Sequence, residues 1–253
     1  MRPLLPALLA LGLGLSLLPV RAETPPPATA PASTLASPAT APRVPAPLRL
    51  KYTVQGEIKG LPYRAGGSLT WQHDGRQYDA RLEMHLFLIA SRSQHSQGLL
   101  GPEGLQPLRF TDRVRKDRVV EFDRQQGRLH FSEGTAPVAL EDGVQDQLSV
   151  FMELGRRLAA QPALHQPGTA LRLPVAGVHG PDTWQFVVDG PERLQLPGGE
   201  QHTLKLTRLP PRPDALRAEL WLAPALGWLP ARIRLTQGNG DVVDQQWRGS
   251  ETP

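Results

Sequence analysis

From Leu48 onward the apolar residues recur at every second position. Leu50, Tyr52, Val54, Gly56 and Ile58 alternate with Lys51, Thr53, Gln55 and Glu57. Successive side chains of a strand point to opposite faces, so this pattern predicts a strand with one buried side. Tyr63 to Trp71 repeats it, with Gly66-Gly67 suggesting a bulge or a close backbone approach. Asp74-Gly75 is a hairpin signal. In the next strand Tyr78, Ala80, Leu82, Met84, Leu86 and Leu88 share a face opposite Gln77, Asp79, Arg81, Glu83 and His85. Phe87 and Ile89 make both faces apolar at its end, as if another element covered it. Further strands are predicted over 93–100, 105–115, 117–123 and 129–131, and then over 171–176, 182–188, 193–196, 202–209, 215–222, 231–236 and 241–247. Turn residues stand between them: Gly101-Pro102, Gln126-Gly127, Asp189-Gly190, Pro197-Gly198-Gly199 and Gly238-Asn239-Gly240.

One segment breaks the period of two. Between Asp142 and Leu158, the residues Leu148, Phe151, Met152, Gly155 and Leu158 fall at i, i+3, i+4, i+7 and i+10, one face of a helix. Asp146 is placed to accept a backbone N–H as N-cap. Glu153, Arg156 and Arg157 fall on the other side, and Pro162 ends the helix. Gly155 costs about 1 kcal/mol against Ala, which is understandable if a strand backbone passes close there.

About a dozen short strands, hairpin-length loops and one helix predict a mainly β fold. The expected architecture is a large curved antiparallel sheet, a half-barrel or open barrel, with the amphipathic helix packed against its concave face or plugging one end. Leu148, Phe151, Met152 and Leu158 are then either core filling or the wall of a cavity, and Trp221 and Trp228 join them as ligand-wall candidates.

The N-terminus follows another pattern. Arg2 precedes an apolar run, Leu4 to Leu18, and Val20-Arg21-Ala22 offers small residues before Glu23. This predicts a secretory signal at 1–22, the run being shorter than the roughly 18–20 residues of a membrane span. From Glu23 to Pro47, eight of 25 residues are Pro and most others are Ala, Thr or Ser, a composition of extended, disordered spacers. A single β-rich domain is expected over 48–249, and a periplasmic location.

Charge and composition narrow the chemistry. The formal charge is +4, or +2 once Arg2 and Arg21 leave with the signal, which is no nucleic-acid signature. The chain has no Cys, excluding disulfides, thiolate metal sites and cysteine nucleophiles. The seven His form no H-E-x-x-H pair, and there is no G-x-S-x-G elbow, P-loop or dinucleotide fingerprint. No cofactor is expected. The cluster Arg113-Val114-Arg115-Lys116-Asp117-Arg118 fits either a hairpin tip carrying solubilising charge or a contact for lipid phosphates.

Four stretches resemble the bacterial domain of unknown function 3108: W-L-A-P-A-L-G-W-L-P-A-R-I-R-L-T from Trp221, the following N-G-D hairpin, V-Q-D-Q-L-S-V-F-M-E-L from Val144 and K-D-R-V-V-E-F-D from Lys116. The resemblance implies an exported, β-rich envelope protein and transfers no activity to particular residues. The corner of aromatic, Pro and alternating strand is also similar to that of outer-membrane lipoprotein carriers, whose curved sheet wraps helices around an apolar cavity. The expected function is a non-enzymatic periplasmic domain holding an apolar or lipidic ligand or an envelope partner. The alternatives are an envelope hydrolase using Asp79, Arg81, Glu83 and His85, and a structural interaction module.

Overall fold

The computed structural model describes residues 44–86, 90–134, 136–210, 212 and 215–253. The expected signal at 1–22, the spacer up to 43, and Phe87 and Ile89 lie outside the described residues.

Alternation becomes strand as expected. The chain runs β1 (Leu48–Ile58), β2 (Leu61–His73), β3 (Gln77–Leu86), β4 (Ala90–Gly101), β5 (Gly104–Arg113), β6 (Asp117–Asp123), β7 (Arg128–Phe131) and β8 (Val138–Ala139). After β9 (Gln145–Asp146) comes α1 (Ser149–Ala160). There follow β10 (Ala170–Gly177), β11 (Gly180–Leu196), β12 (Gly199–Leu209), β13 (Arg217–Ala223), β14 (Leu229–Thr236) and β15 (Val242–Glu251). Each strand pairs with its neighbour in sequence except β8 and β9, and β15 pairs with β1 in the middle of the sheet. All pairings are antiparallel except β9 with β10. The result is a single 15-stranded curved sheet with β8 and β9 at its two edges. No ladder joins those edges, so the barrel stays open.

Turn chemistry sets the registers. Between Ile58 and Leu61 only Lys59 and Gly60 intervene, with φ of 52° and 77°, the paired left-handed geometry that matches strand twist in a two-residue hairpin. Two of the glycine signals resolve differently. Gly66 and Gly67 stay in regular register with Thr53 and Tyr52. Of the two expectations for this pair, the close approach holds: a Cβ at Gly67 would lie 3.0 Å from the Glu83 carbonyl oxygen and 3.1 Å from Val54. Asp189-Gly190 is not a turn but a bulge inside the 17-residue β11.

The helix begins later than its periodicity suggests. Residues 142–148 are not helical, because Gln145 and Asp146 pair with Val175 and Ala176 of β10. Asp146 caps from further back than expected. Leu148 holds the N-cap position, and the Asp146 carboxylate accepts the N–H groups of Leu148 (2.8 Å) and Ser149 (2.7 Å). Leu148, Met152, Leu154 and Leu158 are fully buried against the inner face. Each such side chain contributes about 1.5–3 kcal/mol relative to exposure. Gly155 meets the corner that precedes β14, where a Cβ would stand 2.6 Å from the Trp228 carbonyl oxygen.

Glu153 does not face solvent, as a plain helical wheel suggests. It is buried because β5 covers it, and its carboxylate accepts the Leu105 N–H (3.2 Å) and the guanidinium groups of Arg156 and Arg157 (both 2.8 Å at Nε). Burial alone would raise its pKa, but the two guanidinium groups outweigh this and hold it below the usual carboxylate range. The Gln145 amide donates to the Leu105 carbonyl (2.8 Å). These bonds fasten the first half of the sheet to the helix that follows it.

The packed chain begins before Leu48. The Trp71 indole N–H donates to the Pro45 carbonyl (2.8 Å), and Pro45 is buried.

Candidate functional site: a cavity under the helix N-terminus

The inner face of the sheet is filled unevenly. Toward the β13–β14 corner, α1 occupies the interior and Trp228 closes over Gly155 and the His165 ring, whose centroid is 4.8 Å away. Toward the β14–β15 hairpin the helix stops, and a cavity of about 110 Å³ remains. That is well above the ~10–15 Å³ needed for one water.

Strand alternation supplies its walls. Ala218 and Ile233 are nearly fully buried and form the floor with Phe151 from the helix and Trp184 from β11. Leu82, Met84, Leu216, Leu235 and Val243 are half-buried and ring the opening. An apolar rim of this kind favours hydrocarbon over water.

The polar members are mostly neutral. Gln94, Gln147, Gln237 and Gln245 contribute amides, and Arg92 the one guanidinium group. Arg92 is committed to Asp112 through two hydrogen bonds, Nε–H to Oδ1 at 2.9 Å and Nη2–H to Oδ2 at 3.1 Å, so its charge is matched. Gln245 is 2 % exposed, and its Oε1 is buried with no hydrogen-bond partner among the described residues. Buried polar atoms are normally paired, and leaving one unpaired costs about 1–3 kcal/mol. This position combines a buried polar atom with a hollow beside it.

The sequence-derived wall residues separate in the structure. Phe151 lines the cavity. Leu148, Met152 and Leu158 are buried in the packing between helix and sheet and do not line it. Trp221 lies on the opposite face of β13 from Ala218, as its alternation requires. Its ring sits between Lys205 Nζ (5.1 Å) and the Arg232 guanidinium (4.6 Å), and its indole N–H donates to Glu192 (2.8 Å). Trp228 belongs to the corner over Gly155. Gln245 and Arg92 carried no sequence signal, because an inward amide or guanidinium is indistinguishable from a solvated one until the strand's partners are known.

The four polar residues of β3 occupy its outer face. Asp79 accepts from the His95 ring (2.7 Å), Gln97 (3.0 Å) and Arg81 (3.2 Å). Partial burial raises its pKa, while His95 and Arg81 lower it further, for a net fall. Glu83 lies 3.8 Å from Arg49 instead, and His85 is exposed. The four residues do not form one constellation, and no group of three His, Asp or Glu among the described residues is arranged to hold a metal ion.

A buried polar chain lies outside the cavity lining. The Tyr78 hydroxyl contacts Ser96 Oγ (3.0 Å), which donates to Asp146 Oδ2 (2.5 Å). It links β3 and β4 to the segment that starts the helix. Among the described residues no helix is long and apolar enough to cross a membrane.

No curated protein matches the sequence. A crystal structure of a β-barrel-like protein of domain of unknown function DUF1849 from Brucella abortus superposes with a TM-score of 0.55 at 10% identity, covering 83% of this chain and 99% of that one. The two share a fold. The complex of Pseudomonas aeruginosa MucA and MucB aligns at 17% identity over 84% of this chain and 53% of that one, with a TM-score of 0.29. A putative outer membrane lipoprotein-sorting protein domain from Vibrio parahaemolyticus aligns at 8% identity over 81% and 85%, with a TM-score of 0.30. Superpositions that loose carry no functional weight. The family profile for protein of unknown function DUF3108 matches residues 48–245, and the chain belongs to that family.

Proposed function

We propose that the protein is an exported, non-enzymatic binding domain that holds an apolar or amphiphilic ligand in the cavity between α1 and the open sheet. The observation that carries this reading is the cavity's lining. Half-buried hydrocarbon rings the opening, Phe151 and Trp184 stand inside, and the buried Gln245 amide waits for a partner. The polar groups there are amides plus a guanidinium already matched by Asp112. Such a set orients a bound molecule rather than moving protons. The secretory pattern at 1–22 supports a periplasmic location.

The test is native mass spectrometry of the purified chain for a retained amphiphile, together with titration of a fluorescent apolar probe such as N-phenyl-1-naphthylamine. Saturable binding, weakened about tenfold in Ala218→Leu, is the expected outcome, since the added side chain fills the floor. Absence of both a retained molecule and saturable probe uptake would overturn the reading.

A further inference from the structure

Antiparallel pairing sends the β1–β2, β5–β6 and β12–β13 connections to the end of the sheet that holds the β14–β15 hairpin and the cavity opening. The described residues include five large apolar side chains that are exposed, and four of them stand at this end. They are Leu61 (72%), Val114 (49%), Leu209 (46%) and Ile58 (42%). Isolated exposed apolar residues are ordinary, but their collection at one end of a barrel marks an interaction surface.

The same tips concentrate positive charge. Residues 57–64 and 113–118 together hold six Lys or Arg against two carboxylates, Glu57 and Asp117. That surplus of four exceeds the +2 carried by the chain without Arg2 and Arg21, so the rest of residues 23–253 holds two more carboxylates than basic groups. Asp117 is already paired with Arg113, and Arg115 has no carboxylate partner among the described residues. Lys116 reaches Glu133 at 2.9 Å while remaining exposed.

We propose that this end of the protein docks on an anionic phospholipid surface, with the cavity opening turned toward the bilayer. Exposed Leu, Ile and Val at the tips enter the boundary between headgroups and acyl chains, and the adjacent cations meet lipid phosphates. Apolar insertion and basic charge reinforce one another in this type of contact. Each basic group near an anionic surface raises partitioning roughly fivefold at moderate salt. The docking surface stands on its own residues. What crosses it, an amphiphile entering or leaving the cavity, rests on the proposed binding function.

Flotation of the purified chain with lipid vesicles tests the proposal. Vesicles of phosphatidylcholine mixed with phosphatidylglycerol are expected to carry the protein, vesicles of phosphatidylcholine alone to carry much less, and high salt to release it. The double variant R115E/K116E should bind the mixed vesicles more than about tenfold more weakly, and Leu61→Ser should weaken binding at any salt. Both variants are expected to take up N-phenyl-1-naphthylamine as the parent does, which also reports that they are folded. All proteins carry the same N-terminus, so differences among them report on the tips. Failure to float with the mixed vesicles, equal binding to neutral vesicles, or full binding by R115E/K116E would overturn the docking surface. If flotation behaves as expected and the probe is not taken up, docking stands and the cavity reading falls.

Discussion

Replacing Asp146 by Asn tests the buried polar chain directly. Asp146 is fully buried, and its carboxylate accepts three hydrogen bonds, all from neutral donors: Ser96 Oγ and the N–H groups of Leu148 and Ser149. No guanidinium or ammonium group pairs with it among the described residues. Burial therefore dominates, and the carboxyl is pushed from 3.8 up to about 6. A pKa raised on folding means that the folded protein holds this proton more tightly than the unfolded chain does. The group's favourable contribution is complete below the unfolded value near 4 and is lost as pH rises through about 6. A shift of that size corresponds to roughly 3 kcal/mol. Asn is neutral throughout and keeps an oxygen to accept the two backbone N–H groups. The stability of D146N relative to the parent should therefore rise by up to roughly 3 kcal/mol between about pH 4 and pH 8. Urea unfolding followed by tryptophan fluorescence at intervals across that range measures the difference. Comparing the two proteins cancels the carboxylates with the opposite slope, Glu153 among them. A difference that stays flat with pH, or a parent that gains on the variant as pH rises, would show that the three donors outweigh burial.

Two further substitutions probe how the helix is held. Glu153→Gln removes the carboxylate that serves both Arg156 and Arg157. The arginines keep some access to water, so the expected loss at neutral pH is about 2–3 kcal/mol, below the cost of breaking a fully buried pair. The parent's advantage, arising from a lowered pKa, should fade as pH falls through that pKa, and a urea series at neutral and acid pH reads both effects. Gly155→Ala, which normally strengthens a helix by about 1 kcal/mol, should here weaken the protein by about 1–2 kcal/mol net, because the new methyl meets the Trp228 carbonyl. The corner is held by the Trp228 N–H to the Ala223 carbonyl at 2.8 Å and yields little. A thermal melt showing a higher Tm for G155A would refute the close approach.

The sequence by itself determined the parts of this fold that depend on neighbours along the chain. Side-chain alternation is a property of one strand, so β1, β3 and β6 were legible within a residue or two, as was the apolar stripe of α1. Hairpin residues such as Asp74-Gly75 act through their own dihedral angles, so consecutive pairing and a mainly antiparallel sheet followed. Features set by a partner strand were not legible. Asp189-Gly190 reads as a turn until β12 is seen continuing alongside it. Glu153 reads as solvated until β5 crosses over it and two arginines neutralise it. The site divided in the same way. Periodicity grouped Leu148, Phe151, Met152 and Leu158 on one face, but only the position of the helix along the barrel decided that Phe151 borders the cavity and the others fill the core. Gln245 looked like any polar strand residue, and Arg115 like ordinary surface charge. Placing that amide in a buried hollow, and gathering distant apolar tips around its opening, required the whole sheet to curve around the helix. Burial and desolvation depend on atoms far away in sequence, whereas strand and turn preferences do not.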